Sequence, residues 1–253
     1  MDPTARRILV VNGKGGCGKT TIATNLATAY AHLGHTVVLI DHDAQASSTH
    51  WLQNRAAALP PIHLLEAHRR TAMYTTRAFQ QRLPAGVTRI VIDTPSAVGE
   101  AELDNLLRNV DAIVVPLLPS SIDMRAGTRF LAQLLHHRMY RARPVPVGVI
   151  ANRVRHSTLT HSKLLHFLNG IDVPTIATFA ESGVYTQLAE DGAGIFDLRA
   201  DADIEDELAE WQKLLRWLDG LRVGLDTDPD TTIRRGPRAA AVHPRLTRSA
   251  LLQ

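Results

Sequence analysis

Cysteine is almost missing from this chain of 253 residues; Cys17 is the single one. That excludes an intrachain disulfide and suits a cytosolic compartment. Long hydrophobic runs are missing too, and none approaches the ~20 residues that a membrane span needs. The opening Met1-Asp2-Pro3-Thr4-Ala5-Arg6-Arg7 has no apolar core of the kind a secretory signal carries, so none is expected. No internal repeat is visible. Acids are missing from Thr231 to Gln253, a stretch that holds Arg234, Arg235, Arg238, Arg245 and Arg248. Residues 223–253 read as a linker and a basic, disordered tail. Two readings stay open for it: a solvated extension without a task, or arginines that add sequence-independent affinity for DNA by releasing counterions.

What is present is ordinary globular composition, 45% apolar with a formal net charge of only +3. The length fits one large α/β domain or two small ones. The informative stretch begins with the apolar run Ile8 to Val11. Asn12 follows, then Gly13-Lys14-Gly15-Gly16-Cys17-Gly18-Lys19-Thr20-Thr21, in which Gly13 to Thr20 fits G-x-x-x-x-G-K-[ST]. Glycines let a backbone wrap phosphates and aim its N–H groups inward. A helix starting there adds partial positive charge. Lys19 can reach the β- and γ-phosphates and the Thr20 hydroxyl can hold Mg²⁺. Cys17 sits at a variable position and reads as a small tolerated residue rather than a nucleophile.

Further along, residues 7–12 predict a strand, Thr20 to Leu33 a helix closed by Gly34, and residues 36–41 the next strand. A β-loop-α-β opening implies a parallel pair with a right-handed crossover. That second strand ends in Asp41-His42-Asp43, acids at the end where ligands bind in open parallel sheets; capping of the next helix is the other reading. Residues 62–66 form a weak strand, residues 70–83 a polar helix, and Arg89 to Asp93 an apolar strand ending in a carboxylate. Residues 112–118 predict another strand. Asp123 is expected to cap a long helix running to about Tyr140, whose basic end holds Arg138, Arg141 and Arg143. These arginines either complement the helix dipole or contact phosphate backbone. Strands over 145–151 and 173–178 flank a helix containing Leu164 to Leu168. Ile204, Leu208, Trp211, Leu214, Leu215, Leu218 and Leu221 form a helical stripe, read as a last helix packed on the sheet.

Lys14-Gly15-Gly16-Cys17-Gly18-Lys19-Thr20 resembles the deviant Walker A motif of the ParA/MinD family of P-loop ATPases, particularly the small partition and positioning ATPases. Asp41-His42-Asp43-Ala44-Gln45 resembles that family's first switch segment, with Ala44 where proline is usual. Ile90-Val91-Ile92-Asp93 resembles its Walker B strand, and Thr94 to Gly99 its second switch loop. The resemblance runs from about residue 7 to 222. It implies a mostly parallel twisted α/β sheet with helices on both faces, one ATPase domain over residues 1–222, and ATP with Mg²⁺ as cofactors. It implies catalytic roles for Lys14, Lys19 and Asp43, with Lys14 reaching across a dimer to the partner's nucleotide and Asp43 positioning the attacking water. Thr20, Asp41 and Asp93 would serve the metal. Asn152 would read the adenine edge, and segments 179–186 and 192–196 would close over it. The implied partners are a second copy with ATP, non-specific DNA, and a ParB-like or cargo-linked adaptor that stimulates hydrolysis. The implied place is the cytoplasm, on a bacterial nucleoid. The cargo could be a plasmid, a chromosome or a protein body such as a carboxysome.

Other members of the family fit less well. A nitrogenase-type iron protein needs cluster cysteines, and a capsule-type kinase a C-terminal tyrosine cluster. The last ten residues hold only three large apolar side chains, too few for a membrane-lying helix. The alternatives kept are a MinD-like membrane- or partner-recruiting ATPase and an ATP-dependent metabolic enzyme.

Overall fold

The computed structural model describes residues 5–67, 83–155, 170, 173–198 and 204–220. The polar helix expected over 70–83, the helix around Leu164 to Leu168, Leu221 and the tail lie wholly or almost wholly outside them. In chain order the elements are β1 Arg6–Val10, α1 Lys19–His32, β2 Val37–Asp41, α2 Ser47–Gln53, β3 His63–Glu66 and β4 Arg89–Asp93. Then come α3 Glu100–Leu107, β5 Ala112–Leu117, α4 Ser121–His136, α5 Arg138–Ala142, β6 Val147–Val154, β7 Thr175–Ala180, α6 Val184–Glu190, a 3₁₀ turn Ile195–Asp197 and α7 Glu205–Gly220.

The strands form one parallel sheet in the order β3-β2-β4-β1-β5-β6-β7. Side chains alternate along each strand, so β1 feeds two cores. Ile8 and Val10 join α1 and α7 on one face. Leu9 and Val11 join α3 and α4 on the other. Burial on both faces explains why these strands read as unbroken apolar runs. The chain visits β2, β3 and β4 on one side of β1 and β5, β6 and β7 on the other. Ligands in such sheets bind at that switch point, beyond the strands' C-terminal ends.

Three local expectations are corrected. The helix expected to reach Tyr140 stops at His136, because His137 is extended (φ −64°, ψ 135°) and its side chain caps α5 at Met139 N–H. The buried His137 ring also lies 3.5 Å from Asp104. The cap of α4 is Ser120, whose hydroxyl accepts the Asp123 N–H at 3.1 Å; Asp123 sits in the first turn. The strand expected over 145–151 starts later and runs on to Val154, with Arg153 in the left-handed region at φ 53°. The C-terminal stripe packs on the sheet as expected, with Trp211 against Phe179 at 4.4 Å between ring centres. Gly34 closes α1 at φ 83°, as the sequence predicts.

Candidate nucleotide site

The register of the sheet sets the site's level. Val10 pairs with Asp93, and Asp93 with Asp41. Three strand ends therefore stand abreast, carrying the glycine loop, the β4 carboxylate and the β2 carboxylate.

The loop is held from below by Asn12, whose amide donates to Pro116 O at 2.7 Å and whose carbonyl accepts the Lys14 N–H at 3.1 Å. Gly16 and Gly18 have φ of 74° and 93°, a region that costs other residues 1–2 kcal/mol. A Cβ on Gly18 would stand 2.2 Å from the Asn152 amide nitrogen, so a side chain there would displace that amide as well as strain the backbone. Asn152, buried near the end of β6, donates to Cys17 O at 2.8 Å. It is thus brought beside the start of α1, where Lys19 opens the helix. Cys17 is buried, its thiol donates to Lys14 O at 3.3 Å, and burial pushes its pKa up. That environment keeps the thiol protonated, in line with a packing residue.

Lys19 is buried and its ammonium donates to Lys14 O at 3.2 Å. The Lys14 side chain has a different neighbour. It is 44% exposed and 3.8 Å from Asp123. Thr94 Oγ1 donates to Val10 O at 2.9 Å, and a Cβ on Gly15 would touch Ser96 at 3.6 Å, so the loop after β4 lies against the glycine loop.

Asp93 is fully buried. Its Oδ2 accepts from Thr20 at 2.8 Å and Ser48 at 2.7 Å, while Oδ1 is buried without a partner. An orphaned buried carboxylate oxygen beside a hydroxyl at the mouth of a phosphate loop fits a magnesium ion. Mg²⁺ commonly takes one or two protein groups and completes its shell with phosphate and water. Among the described residues no group of three or more His, Cys, Asp or Glu could hold a metal by itself. Asp41 is also fully buried. Its Oδ1 accepts the Asp43 N–H at 3.0 Å, and its Oδ2 accepts from the N–H and hydroxyl of Thr49 at 2.9 and 2.8 Å. Asp43 is half-buried and its Oδ1 accepts the Gln45 N–H at 2.9 Å.

Burial pushes the Asp93 carboxyl up to about 6, against the hydrogen bonds from Ser48 and Thr20 that lower it. A buried acid with a raised value stabilises the fold only while protonated, and that contribution is lost as pH rises from about 4 through about 6. At neutral pH the charge costs roughly 3 kcal/mol. Asp93→Asn is therefore expected to melt several degrees above the parent at pH 7.5 without metal, and alongside it near pH 4. Its nucleotide affinity is expected to lose its response to Mg²⁺. Melting curves at both pH values check this.

The outlying expectations fare differently. Arg138 pairs with Asp104, and Arg143 lies 3.4 Å from Asp111 and donates to Val110 O. Arg141 is exposed with no ion pair among the described residues. Arg234, Arg235 and Arg238 lie outside them. Segment 192–197 is fixed to the body: Trp51 donates to Ala193 O, Asn25 accepts the Ile195 N–H, and Asp197 takes Arg55 and His32, each at 2.7–3.0 Å. Sequence reasoning gave no role to Asn12, Ser48 or Thr49, although Ser48-Thr49-His50-Trp51-Leu52 continues the family resemblance. The polar types at a strand end and a helix start are visible, but their partners depend on sheet register.

A glycine loop between strand and helix, a lysine in it and a buried carboxylate beside its threonine define a P-loop nucleoside triphosphatase. The chain belongs to the CobQ/CobB/MinD/ParA nucleotide-binding domain family, whose model matches residues 8–178. It is an ATPase of that family, with ATP and Mg²⁺ as cofactors. It is 26% identical over 197 residues to maintenance of carboxysome distribution protein A from Halothiobacillus neapolitanus, covering 76% of this chain and 88% of that protein. It is 36% identical over 119 residues to the protein of that name from Gloeobacter kilaueensis, covering 47% of this chain and 52% of the relative. Among solved structures, the septum site-determining protein MinD from Pyrococcus horikoshii, complexed with Mg-ADP, superposes with a TM-score of 0.64 at 17% identity, covering 86% of this chain and 97% of that one.

Proposed function

We propose that this chain is a ParA-like positioning ATPase that dimerises on ATP, binds DNA without sequence preference, and distributes a cargo under the control of an adaptor. The observation that carries the reading is the divergence of its two loop lysines. Lys19 turns inward onto its own loop, whereas Lys14 lies at the surface with one long contact to Asp123. A lysine placed outward from the same loop suits a partner's phosphates. The glycine-loop N–H groups, Lys19 and the start of α1 would hold the triphosphate. Thr20 and Asp93, supported by Asp41, would hold Mg²⁺, which when bound neutralises charge on the β- and γ-phosphates. Asp43 would orient the attacking water, and Asn152 would face the base. Two relatives named for carboxysome distribution favour a protein body as cargo over a plasmid or chromosome. A cytoplasmic, nucleoid-associated place follows from the same reading.

For DNA, the free arginines matter. Arg138 and Arg143 are already beside carboxylates. Arg125 and Arg129 stand one turn apart on the exposed side of α4, with no ion pair among the described residues, and that helix begins beside Lys14. Pairing of two copies at the glycine loop would bring both sets to one seam. We assign phosphate contact to Arg125, Arg129 and Arg141, with the tail arginines adding to them. Reversing Arg125 and Arg129 to Glu is expected to weaken duplex binding and flatten the log-affinity against log-salt slope by about 2 for each protomer engaged. An unchanged slope would remove them from the interface. The class of ligand is decided by offering the ATP form random-sequence duplex and anionic vesicles in parallel. Duplex binding alone is expected, and vesicle binding alone would replace the proposal with a membrane-recruiting one.

A further inference from the structure

We propose that Ser48 is a positioning residue that couples the loop carrying Asp43 to the carboxylate of Asp93. The inference rests on the nucleotide-site reading and goes beyond it by giving Ser48 a role that the motif reading did not assign.

The first turn of α2 is Ser47-Ser48-Thr49-His50, and Ser48 and Thr49 are buried at 0% and 2% exposure. A hydroxyl buried this deeply needs a partner, and left without one it costs ~1–3 kcal/mol. Both hydroxyls turn to carboxylates on neighbouring strands. Thr49 donates twice to Asp41 Oδ2, and Asp43 donates its N–H to Asp41 Oδ1. Asp41 thus fastens both ends of the segment 43–49. Within it Ala46 N–H closes a turn on Asp43 O at 2.9 Å, and Ala46 is left-handed at φ 56°, a conformation that alanine holds only when its surroundings impose it. The segment is a fastened unit, and Asp43 moves with it.

Ser48 carries that unit's side-chain bond to β4. It donates to Asp93 Oδ2 at 2.7 Å, the oxygen that Thr20 also engages at 2.8 Å. Two donors on one oxygen fix the rotation of the carboxylate and leave Oδ1, buried without a partner among the described residues, as its open oxygen beside the Thr20 hydroxyl. With Ser48 gone, Thr20 alone holds Oδ2, and Thr20 is itself a candidate metal group. The carboxylate is then free to turn, and the Asp43 segment keeps its backbone tie to β4, the bond from His42 N–H to Asp93 O at 3.0 Å. Ser48 therefore sets how strongly metal and nucleotide reinforce each other, and links that coupling to the placement of Asp43.

The test is a titration of fluorescent ADP into the full chain with and without Mg²⁺, for the parent, Ser48→Ala and Ser48→Thr. The parent is expected to bind ADP more tightly with Mg²⁺. Ser48→Ala is expected to lose about 10-fold of that enhancement while its affinity without Mg²⁺ stays as in the parent. Ser48→Thr, which keeps the hydroxyl, is expected to recover it. An undiminished enhancement in Ser48→Ala overturns the inference. So does an equal loss with and without metal, which is what a merely packing role or a folding defect produces. Ser48→Cys, of nearly the same volume with a weak donor, provides a second variant and is expected to fall between the parent and Ser48→Ala. A parent that binds no ADP in either condition contradicts the nucleotide site itself, a separate result.

Discussion

A Lys19→Ala protein is expected to fold and to turn over ATP about 10²–10³-fold more slowly, the loss typical of removing one preorganised group that stabilises developing charge. Lys19 is buried at the first position of α1, and its ammonium rests on Lys14 O, an oxygen of the loop itself. Lys14, the other cation of the loop, is 44% exposed and set beside Asp123. The truncation leaves Lys14 O with the weak Cys17 thiol as donor, a small cost. Phosphate release and nucleotide affinity should therefore collapse while the melting temperature moves by only a few degrees. Full turnover in the variant would refute the loop's assignment.

The second large effect separates binding from hydrolysis. Asp43→Ala is expected to keep ATP affinity within a few-fold and to hydrolyse it about 10²–10⁴-fold more slowly, the range for losing a group that handles the attacking water's proton. The structural reason for this split is that, among the described residues, the Asp43 carboxylate supports only the Gln45 N–H. The segment around it is fastened by Asp41 to Thr49 and by Ser48 to Asp93, none of which the substitution touches. The expected product is a long-lived ATP form. Single-turnover hydrolysis beside equilibrium ATP binding checks it, and wild-type hydrolysis would remove Asp43 from the reaction.

How much of this was legible in the sequence follows from which forces were local. β1, α1, β2 and β4 could be read directly, because strands buried on both faces are unbroken apolar runs and the glycine loop has a fixed spacing. Asp41 and Asp93 could be placed at strand ends for the same reason. What could not be read were interactions between distant segments. The helical period runs through His137 to Tyr140, yet the helix breaks where His137 caps α5 and meets Asp104. Arg138 and Arg143 look like free charges in a basic cluster, but Asp104 and Asp111 lie some thirty residues away in sequence and beside them in space. Arg125 and Arg129 carry no motif, and only the fold shows them on an exposed face with no ion pair among the described residues. Ser120 and Asp123 both suit a cap, and backbone geometry chose the serine. The roles of Asn12, Ser48 and Thr49 needed the register that sets Val10, Asp93 and Asp41 side by side.

If the nucleotide at the end of β1 gates a polyanion-binding surface, duplex binding follows the nucleotide state. A salt titration of random-sequence duplex binding with no nucleotide, with ADP, with ATP, and with ATP in Asp43→Ala tests this. Tight, salt-sensitive binding is expected only with ATP, persisting in the variant long after the parent has released. Equal binding in every nucleotide state, or none in any, would contradict it.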